Sequence, residues 1–592
     1  MKKTFFAILV CTISCLLANA QIVDTARFNL EYNPQLLNFK KINQAAEIID
    51  TQKTTVKFDY YITPERLDVS FEPSAIKPLK VKAEAKPTLY RNFLKVGFGY
   101  PITPLAELCL HNGYSTKYSY GLNVHHYSQW AKPIGKTMKQ LAYAPMSDTK
   151  ATAFFSRFFK KQTLYSSIDY NHQYARYYGF EVDSVPEYFL GDEYKDSLQH
   201  QFHHVRAEVG VRSNYGLDEK HLKQDVRLNY DGIFANFKDM ENHIGLKSFF
   251  AYDANWLKIS GSQLYRLNFD VDYYRNSWNR GSDAATNGNS YVITPEVFAK
   301  WTFGEYHVLV GVGMAFSQAG LADTLNEPEA RDFKFTIYPL AEFNLGIVPN
   351  ILSLDVGLNG NVKYNSYESL LYENPFVKPH LENLRFTRNW INIYGGLKGN
   401  LVKKLNYNIF AKYSYASDML FFITDTTSVL RNQFDVVYYD GGNFNVGLNM
   451  NWEVLHNLTL HFGADYWLYF VDDDFKAKYG HALYKPSLEF AFSGDYTYKD
   501  FLKFNLNFDL GFGSYEWVQN PETLSYETKM MKPILDFGLG VEWYITKQLS
   551  AFLNVNNIAC QHYARYYQYK NAGINALVGV TYAFGTQKIR KK

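Results

Sequence analysis

Alternation of apolar and polar residues is the dominant pattern along this chain. Residues 502–513, with the sequence LKFNLNFDLGFG, carry leucine or phenylalanine at every even position and Lys, Asn, Asp or Gly at every odd one. Successive residues of a β-strand point to opposite faces, so the segment predicts a strand with one apolar and one polar face. The pattern recurs along most of the chain without the helical periods of a large soluble protein. Such recurrence predicts a membrane barrel wall, whose apolar face meets lipid and whose polar face meets a wet interior.

The connectors between these segments support the same architecture. Twenty-two alternating segments can be counted, and short connectors such as 349–350 take turns with long ones such as 367–386. Short periplasmic turns opposite long exterior loops are typical of outer-membrane barrels. The connectors 101–103 and 237–240 are short where the scheme expects long ones. The chain therefore predicts an all-β fold, a transmembrane antiparallel up-and-down β-barrel of about 22 strands over residues 91–585.

Composition agrees with a barrel. Aromatic residues make up 17% of the chain, including 49 tyrosines, yet the mean hydropathy is −0.30. Beyond the N-terminus no run of about 18 apolar residues occurs, which excludes membrane-spanning helices. Barrels reconcile the two observations because their faces alternate and their rims carry girdles of aromatic side chains.

The N-terminus predicts export. Residues 1–20 have a charged start, an apolar run over 5–17, and Ala18 and Ala20 at the positions expected before a cleavage site, so we expect a signal peptide that is cut before Gln21. With the barrel pattern, the expected location is the cell outer membrane.

A segment of different character follows the signal peptide. Residues 21–90 alternate little and contain Pro64, Pro73 and Pro78, and prolines at this density prevent a central sheet strand. We expect an extended N-terminal arm that is periplasmic or inserted in the lumen, either as an ordered leader or as a gating element. Residues 586–592 predict a basic periplasmic tail.

Charge and cysteine content exclude two classes of protein. The formal net charge of +3 becomes +1 without Lys2 and Lys3 (3 − 2 = 1), which gives no basis for binding nucleic acid by bulk electrostatics. Outside the signal peptide only Cys109 and Cys560 remain. A disulfide between them is one option in an oxidising compartment, but two cysteines make no disulfide framework.

Charged residues keep to one parity in the predicted strands. A charged side chain facing lipid at the membrane midplane costs about 2–4 kcal/mol for Arg or Lys, so these residues are expected to face the lumen. A motif of Pro, three residues and Phe, with a carboxylate before the Phe, recurs at 339–343, 486–490 and 533–537. It is either a common template for returning strands or an acidic ring that selects cations. The lumen-facing candidates are Arg266, Asp270, Asp272, Glu342, Glu489, Asp509 and Asp536.

No pattern for catalysis or for a bound cofactor is present. The chain contains no P-loop, dinucleotide fingerprint or zinc-protease motif, and residues 511–515 lack the spacing of a nucleophile elbow. We therefore expect no enzyme and assign no catalytic, cofactor-binding or metal-binding residue.

Three groups of side chains leave alternatives open. Five histidines at the expected outer strand ends are either rim residues or transition-metal ligands: His125, His126, His200, His203 and His204. The run 472–474 of three aspartates is either a solvated loop tip or a Ca²⁺ site. Six aromatic side chains either anchor the wall at the interface or stack on a planar ligand: Trp467, Tyr469, Trp517, Trp543, Tyr566 and Tyr567.

The C-terminal strands resemble a known family. The sequences LNVNNI at 553–558 and ALVGVTYAF at 576–584 are similar to the ends of TonB-dependent receptor barrels of Bacteroidetes type. The resemblance implies a receptor-like barrel of the outer membrane. The arm at 21–90 is much shorter than the family's plug domain and has no TonB box, so we expect a barrel that lacks the plug.

These observations predict an outer-membrane receptor-like barrel or channel for an unknown solute, passive or partner-gated rather than TonB-energised. The alternative is a structural subunit of an outer-membrane assembly or secretion complex. Expected partners are outer-membrane lipid and a periplasmic or lipoprotein partner. A barrel of about 22 strands encloses a lumen that needs an obstruction, so the arm, inward-folded loops or another protein must fill it.

Overall fold

The computed structural model describes most of the chain from residue 90 onward. It covers residues 90–586 except for 114, 134–141, 181–196, 216–220, 258–260, 279–285, 321–330, 350, 382, 403 and 521–522. The predicted signal peptide, the N-terminal arm up to residue 89 and residues 587–592 of the tail lie outside the described residues.

The described residues form 26 strands and two short helices. The strands are β1 (Tyr90–Tyr100), β2 (Leu105–His111), β3 (Tyr118–Ala131), β4 (Ala144–Phe158), β5 (Gln162–Arg176), β6 (Gln199–Ser213), β7 (Lys223–Ala235), β8 (Met240–Asp253), β9 (Ser262–Trp278), β10 (Thr286–Phe303), β11 (Tyr306–Gly320), β12 (Arg331–Val348), β13 (Leu352–Tyr364), β14 (Phe386–Val402), β15 (Leu405–Thr424), β16 (Phe434–Leu455), β17 (Leu458–Val471), β18 (Leu488–Tyr498), β19 (Leu502–Phe512), β20 (Tyr515–Gln519), β21 (Tyr526–Met530), β22 (Ile534–Tyr544), β23 (Leu549–Asn556), β24 (Ala564–Tyr566), β25 (Tyr569–Lys570) and β26 (Asn575–Thr586). The helices are α1 (Tyr367–Glu373) and α2 (Asp473–Tyr479). Neither helix of the described part of the chain is long and apolar enough to cross a membrane.

Twenty-two of the strands form one closed antiparallel barrel. Strands β20 and β21 form one separate hairpin and β24 and β25 another, and both hairpins lie in connectors. Every barrel strand pairs with its neighbours in chain order, and β1 closes the ring against β26 from Tyr90 with Thr586 to Tyr100 with Ala576. Closure leaves no free sheet edge. The predicted up-and-down barrel and its strand number are confirmed.

The two faces of the wall follow the predicted parity. On β9, Leu267, Phe269 and Tyr273 are exposed on the outside, whereas Arg266 and Asp272 lie on the opposite face, where they contact other polar or aromatic side chains. The outside is apolar because lipid is its solvent.

Connector length differs between the two ends of the barrel. One end has tight turns such as residues 304–305 between β10 and β11, and the other has long connectors such as the one between β13 and β14. By the usual orientation of such barrels, the long loops mark the outer end. The two short exceptions are confirmed at this end: residues 101–104 join β1 to β2, and residues 236–239 join β7 to β8, where Lys238 has a φ of 65°.

The largest apolar cluster lies inside the barrel, toward its outer end. It contains inward-facing side chains from strands between β6 and β16, among them Phe202, Trp278 and Tyr338. One connector adds Tyr367, Leu370, Leu371, Val377, Leu381 and Leu384. The two cysteines are free, so the optional disulfide between Cys109 and Cys560 is not formed.

Candidate functional site

A loop folded into the outer mouth is the main feature of the lumen. We call residues 365–381 and 383–385, which lie between β13 and β14, the plug loop. It carries α1, whose first turn is capped by Ser366, with the Ser369 backbone N–H donating to the Ser366 hydroxyl at 3.1 Å. Leu370 and Leu371 of α1 are buried in the apolar cluster. Full burial of a leucine side chain stabilises by roughly 1.5–3 kcal/mol, so burial of these two side chains favours the docked position of α1.

Two buried carboxylates on the wall hold the plug loop. Asp239, in the short connector before β8, accepts the His380 backbone N–H at 2.8 Å and lies 2.6 Å from His380 Nδ1. Glu241, at the start of β8, accepts the backbone N–H groups of Tyr367 at 2.9 Å and of Glu368 at 3.3 Å. Burial and the nearby Asp239 raise the pKa of Tyr367 well above its usual value. The short connector leaves room for the plug loop to cover this part of the rim.

Further down the wall, α1 meets a group of charged residues that we call the wall network. Glu368 Oε1 lies 3.2 Å from both Arg206 Nη2 and His204 Nε2. Arg206 Nε donates to Asp231 Oδ1. The wall network consists of His204, Arg206, Asp231, His243 and Asp272.

The register of three neighbouring strands assembles this network. Asp231 on β7 is directly opposite Arg206 on β6 and His243 on β8. His243 Nδ1 lies 3.1 Å from Asp231 Oδ2, and its Nε2 lies 2.7 Å from Asp272 Oδ1. Both ring nitrogens therefore face carboxylates, an arrangement that the doubly protonated imidazolium satisfies.

A second loop element packs against the plug loop. We call residues 564–570, with strands β24 and β25, the closing hairpin. The ring of Tyr569 stacks on Phe376 of the plug loop, with 3.5 Å between ring centroids and 17° between planes. Tyr566 Oη donates to the Glu373 carbonyl at 2.9 Å, and Tyr177 Oη donates to the Val377 carbonyl at 2.7 Å. Burial raises the pKa of the Tyr177 and Tyr569 hydroxyls well above the usual value.

A polar cavity of about 200 Å³ lies between α1 and the wall of strands β13 to β16. Ser369, Leu370 and Glu373 of α1 form one side, and Lys363 and Lys485 provide positive charge. A solute in this cavity would contact α1 directly.

The predicted lumen residues fall into separate places. Asp272 belongs to the wall network, whereas Arg266 lies between two aromatic rings, 4.4 Å from the centroid of Phe249 and 4.8 Å from that of Phe298. Asp270 accepts the Ser248 backbone N–H at 3.3 Å. Glu342 Oε1 lies 3.3 Å from His307 Nε2.

The other three candidates lie near one another. Asp509 on β19 is directly opposite Asp536 on β22, and Glu489 on β18 is opposite Asp465 on β17. The positive charge of Arg565, in the closing hairpin, acts on Glu489 and Asp509. These carboxylates form an acidic patch rather than a ring.

The five histidines do not gather at one site. His125, His200 and His204 face the inside, where His125 Nδ1 lies 3.5 Å from Glu107 and His200 Nδ1 donates to the Pro375 carbonyl at 2.9 Å. His126 and His203 have the opposite parity and lie on the outer face. Alternation along a strand separates neighbours in sequence onto opposite faces.

The remaining candidates take structural positions in the described residues. Asp472 caps α2, with the Phe475 backbone N–H donating to its side chain at 2.7 Å. Trp517 stacks on Tyr526 in the β20–β21 hairpin, with 4.3 Å between centroids. Tyr566 lies against the inner cluster, and Trp543 is exposed on the wall.

Sequence reasoning missed the plug anchors and the apolar lining of the lumen. The available signal was a local loss of alternation, as in Leu420-Phe421-Phe422-Ile423 of β15, where both faces are apolar near the outer end. Asp239 and Glu241 gave no signal because their partners are more than 120 residues away in sequence.

Comparison with known proteins shows the fold. No protein-family model matches the chain, and no curated protein matches its sequence. Among solved structures, the FrpB iron transporter from Neisseria meningitidis is similar, with a TM-score of 0.61, 12% identity, and coverage of 83% of this chain and 81% of that one. The pyoverdine outer membrane receptor FpvA from Pseudomonas aeruginosa PAO1 has a TM-score of 0.62, 11% identity, and coverage of 84% and 79%. The copper transporter OprC has a TM-score of 0.59, 11% identity, and coverage of 84% and 80%.

These neighbours are TonB-dependent outer-membrane receptors with 22-strand barrels. The likeness in fold agrees with the barrel that the resemblance of the C-terminal strands implied. At 11–12% identity it shows the barrel architecture alone.

Proposed function

We propose that this chain is an outer-membrane receptor for a solute whose passage is gated by its own plug loop. The docking of the plug loop against the inner wall through Asp239 and Glu241 carries this proposal. A permanently open channel has no use for a loop that buries Leu370, Leu371, Leu381 and Leu384 in its mouth. Release of the plug loop, by the solute or by a partner rather than by TonB, is then the step that permits passage.

The polar cavity beside α1 supports direct coupling between solute and gate. Lys363 and Lys485 favour a solute with acidic or other electron-rich oxygen groups, and Ser369 and Glu373 place α1 in contact with it. A solute that binds better when α1 is displaced would shift the loop toward the open state by the ratio of the two affinities. The iron, pyoverdine and copper that appear in the names of the structural neighbours support a solute that is, or carries, a metal ion.

Conductance across planar bilayers tests the gate. The full chain should give little or no current, whereas a variant with residues 366–384 replaced by a Gly/Ser segment of equal length should conduct. Two measurements check that each variant is folded: the circular dichroism signal of β-strands, and the faster migration of a folded barrel on gels when the sample is not heated. A conducting native chain would remove the gate from the proposal. The structural subunit would be favoured instead if neither the native chain nor the loop variant conducts current and a stoichiometric partner is found after purification in mild detergent.

A further inference from the structure

Three potential metal-ligand atoms meet where α1 contacts the wall. Among the described residues, His204 Nε2, Asp231 Oδ1 and Glu368 Oε1 lie within 4.8 Å of one another. His204 Nε2 is 3.2 Å from Glu368 Oε1 and 3.7 Å from Asp231 Oδ1. Ligands bound tetrahedrally to Zn²⁺ at about 2.0–2.2 Å are about 3.3–3.6 Å apart. The three atoms are therefore spaced to share one ion with small adjustments.

The histidine is oriented as a ligand. His204 is 5% exposed, and its Nε2 makes no hydrogen bond to any described residue. Its Nδ1 lies 2.9 Å from Tyr372 Oη. In the tautomer with the proton on Nδ1, that proton goes to Tyr372 and the lone pair of Nε2 points at the two carboxylates. A hydrogen bond to the second ring nitrogen commonly orients metal-bound histidines.

The other oxygen of Asp231 is held by the wall. Asp231 Oδ2 accepts from Asn229 Nδ2 at 2.9 Å and lies 3.1 Å from His243 Nδ1. These contacts fix the carboxylate so that Oδ1 faces His204 and Glu368. Such supporting contacts are typical of metal sites.

Arg206 is the resident cation at the same oxygens. It contacts Asp231 Oδ1 and Glu368 Oε1, and its side chain is 44% exposed. The guanidinium can therefore turn into the lumen without opening the wall. A divalent ion and Arg206 would compete for the same negative charge.

We propose that His204, Asp231 and Glu368 bind one first-row divalent transition-metal ion, such as Zn²⁺, and that the ion links α1 to the wall strands β6 and β7. An imidazole with two carboxylates suits zinc and its neighbours better than Ca²⁺ or Mg²⁺, which prefer oxygen ligands alone. Three protein ligands leave a fourth position for water or a donor atom of a solute. This site adds regulation to the proposed gate, but the binding itself does not depend on transport.

Zinc titration of the purified full chain in detergent, after chelator treatment, tests the site. Calorimetry should find one tight Zn²⁺ per chain, and Co²⁺ should give the visible absorption of a four-coordinate site. His204→Ala and Glu368→Gln should each weaken binding at least tenfold, and Arg206→Met should strengthen it because the competing cation is gone. Glu368 is in a loop, so E368Q leaves the wall intact if H204A fails to fold.

His203→Ala is the matched control, since His203 is adjacent in sequence but faces outward beside His172. It should bind Zn²⁺ like the native chain. Binding that persists unchanged in H204A and E368Q, or that disappears in H203A, would place zinc on surface histidines and overturn the proposal. Absence of any zinc binding would do the same. Failure of the gate in conductance experiments would leave these binding results untouched.

Discussion

Glu368 Oε1, on the plug loop, lies 3.2 Å from Arg206 Nη2, on strand β6, although 162 residues separate the two in sequence. The contact joins a connector to the barrel wall. With the anchors at Asp239 and Glu241, it holds the plug loop against the inner face of the wall.

Removing the Asp239 carboxylate should release the plug loop. Asp239→Ala leaves the His380 backbone N–H without its acceptor, and a buried donor without a partner costs about 1–3 kcal/mol. That cost corresponds to a shift of roughly five- to 150-fold in the equilibrium between docked and undocked loop, in favour of the undocked state. Open probability in planar bilayers measures this shift. Asp473→Ala, on the exposed side of α2, is the control and should behave like the native chain. Equal open probability in D239A and native protein would contradict the anchoring role.

Shortening a buried leucine of α1 should loosen the helix without harming the barrel. Leu370 is 2% exposed, and Leu→Ala at such a site costs about 2–5 kcal/mol. Hydrogen–deuterium exchange over residues 367–373 should accelerate accordingly, while the barrel strands keep their protection. Leu401→Ala, at an exposed wall position, should leave exchange in α1 unchanged. Unchanged exchange in L370A would mean that α1 is not held by its apolar face.

The Arg206–Glu368 ion pair should show measurable coupling. Because Arg206 is partly exposed, solvent screening limits the interaction to about 0.5–1 kcal/mol. A double-mutant cycle with Arg206→Met and Glu368→Gln, read as open probability with a chelator present, isolates the pairwise energy. Additive effects of the two substitutions would show that the contact contributes nothing to closure.

Alkaline pH should open the gate before the barrel unfolds. Burial raises the pKa of Tyr177, Tyr367 and Tyr569 well above the usual value. The docked loop therefore binds protons that the released loop loses, so docking is fully stable below about pH 10 and weakens as pH rises further. Conductance should increase above about pH 10 while strand circular dichroism stays constant. Tyr569→Phe should reduce this pH dependence, and Tyr582→Phe, on the outer surface, should not.

The acidic patch should favour cations once the gate is open. Asp509 and Asp536 are directly opposite each other on neighbouring strands, and carboxylates lining a pore select cations. In the Gly/Ser loop variant, Asp509→Asn with Asp536→Asn should lower the K⁺ to Cl⁻ permeability ratio, measured as reversal potential. The matched control is Asp500→Asn, in the exposed turn between β18 and β19 at the opposite end of the barrel. An unaltered ratio in the double variant would remove these residues from the conduction path.

Much of the fold could be predicted from local patterns. Residues 502–513 became β19 of the wall because alternation with period two specifies which side chains meet lipid. The sequence shows the two short connectors near 101–104 and 236–239 as exceptions to the alternation of connector length, but it does not show why they are short. Only the structure shows that the plug loop covers the second of them.

The histidines show a feature that local sequence patterns did not predict, namely which side chains share a site. His203 and His204 are adjacent in sequence and were grouped as one candidate site, yet they face opposite sides of the wall. His204 gains its partners from β7 and from α1, and no spacing in the sequence relates those segments.

The amino-acid sequence by itself determined the barrel, since strand parity and turn length act over a few residues and leave a regular trace. The tertiary structure decided where the plug loop docks, because its path depends on contacts between residues far apart in the chain, such as Asp239 with His380. Those contacts require the closed ring, which brings β6, β7, β8 and α1 to the same side of the lumen.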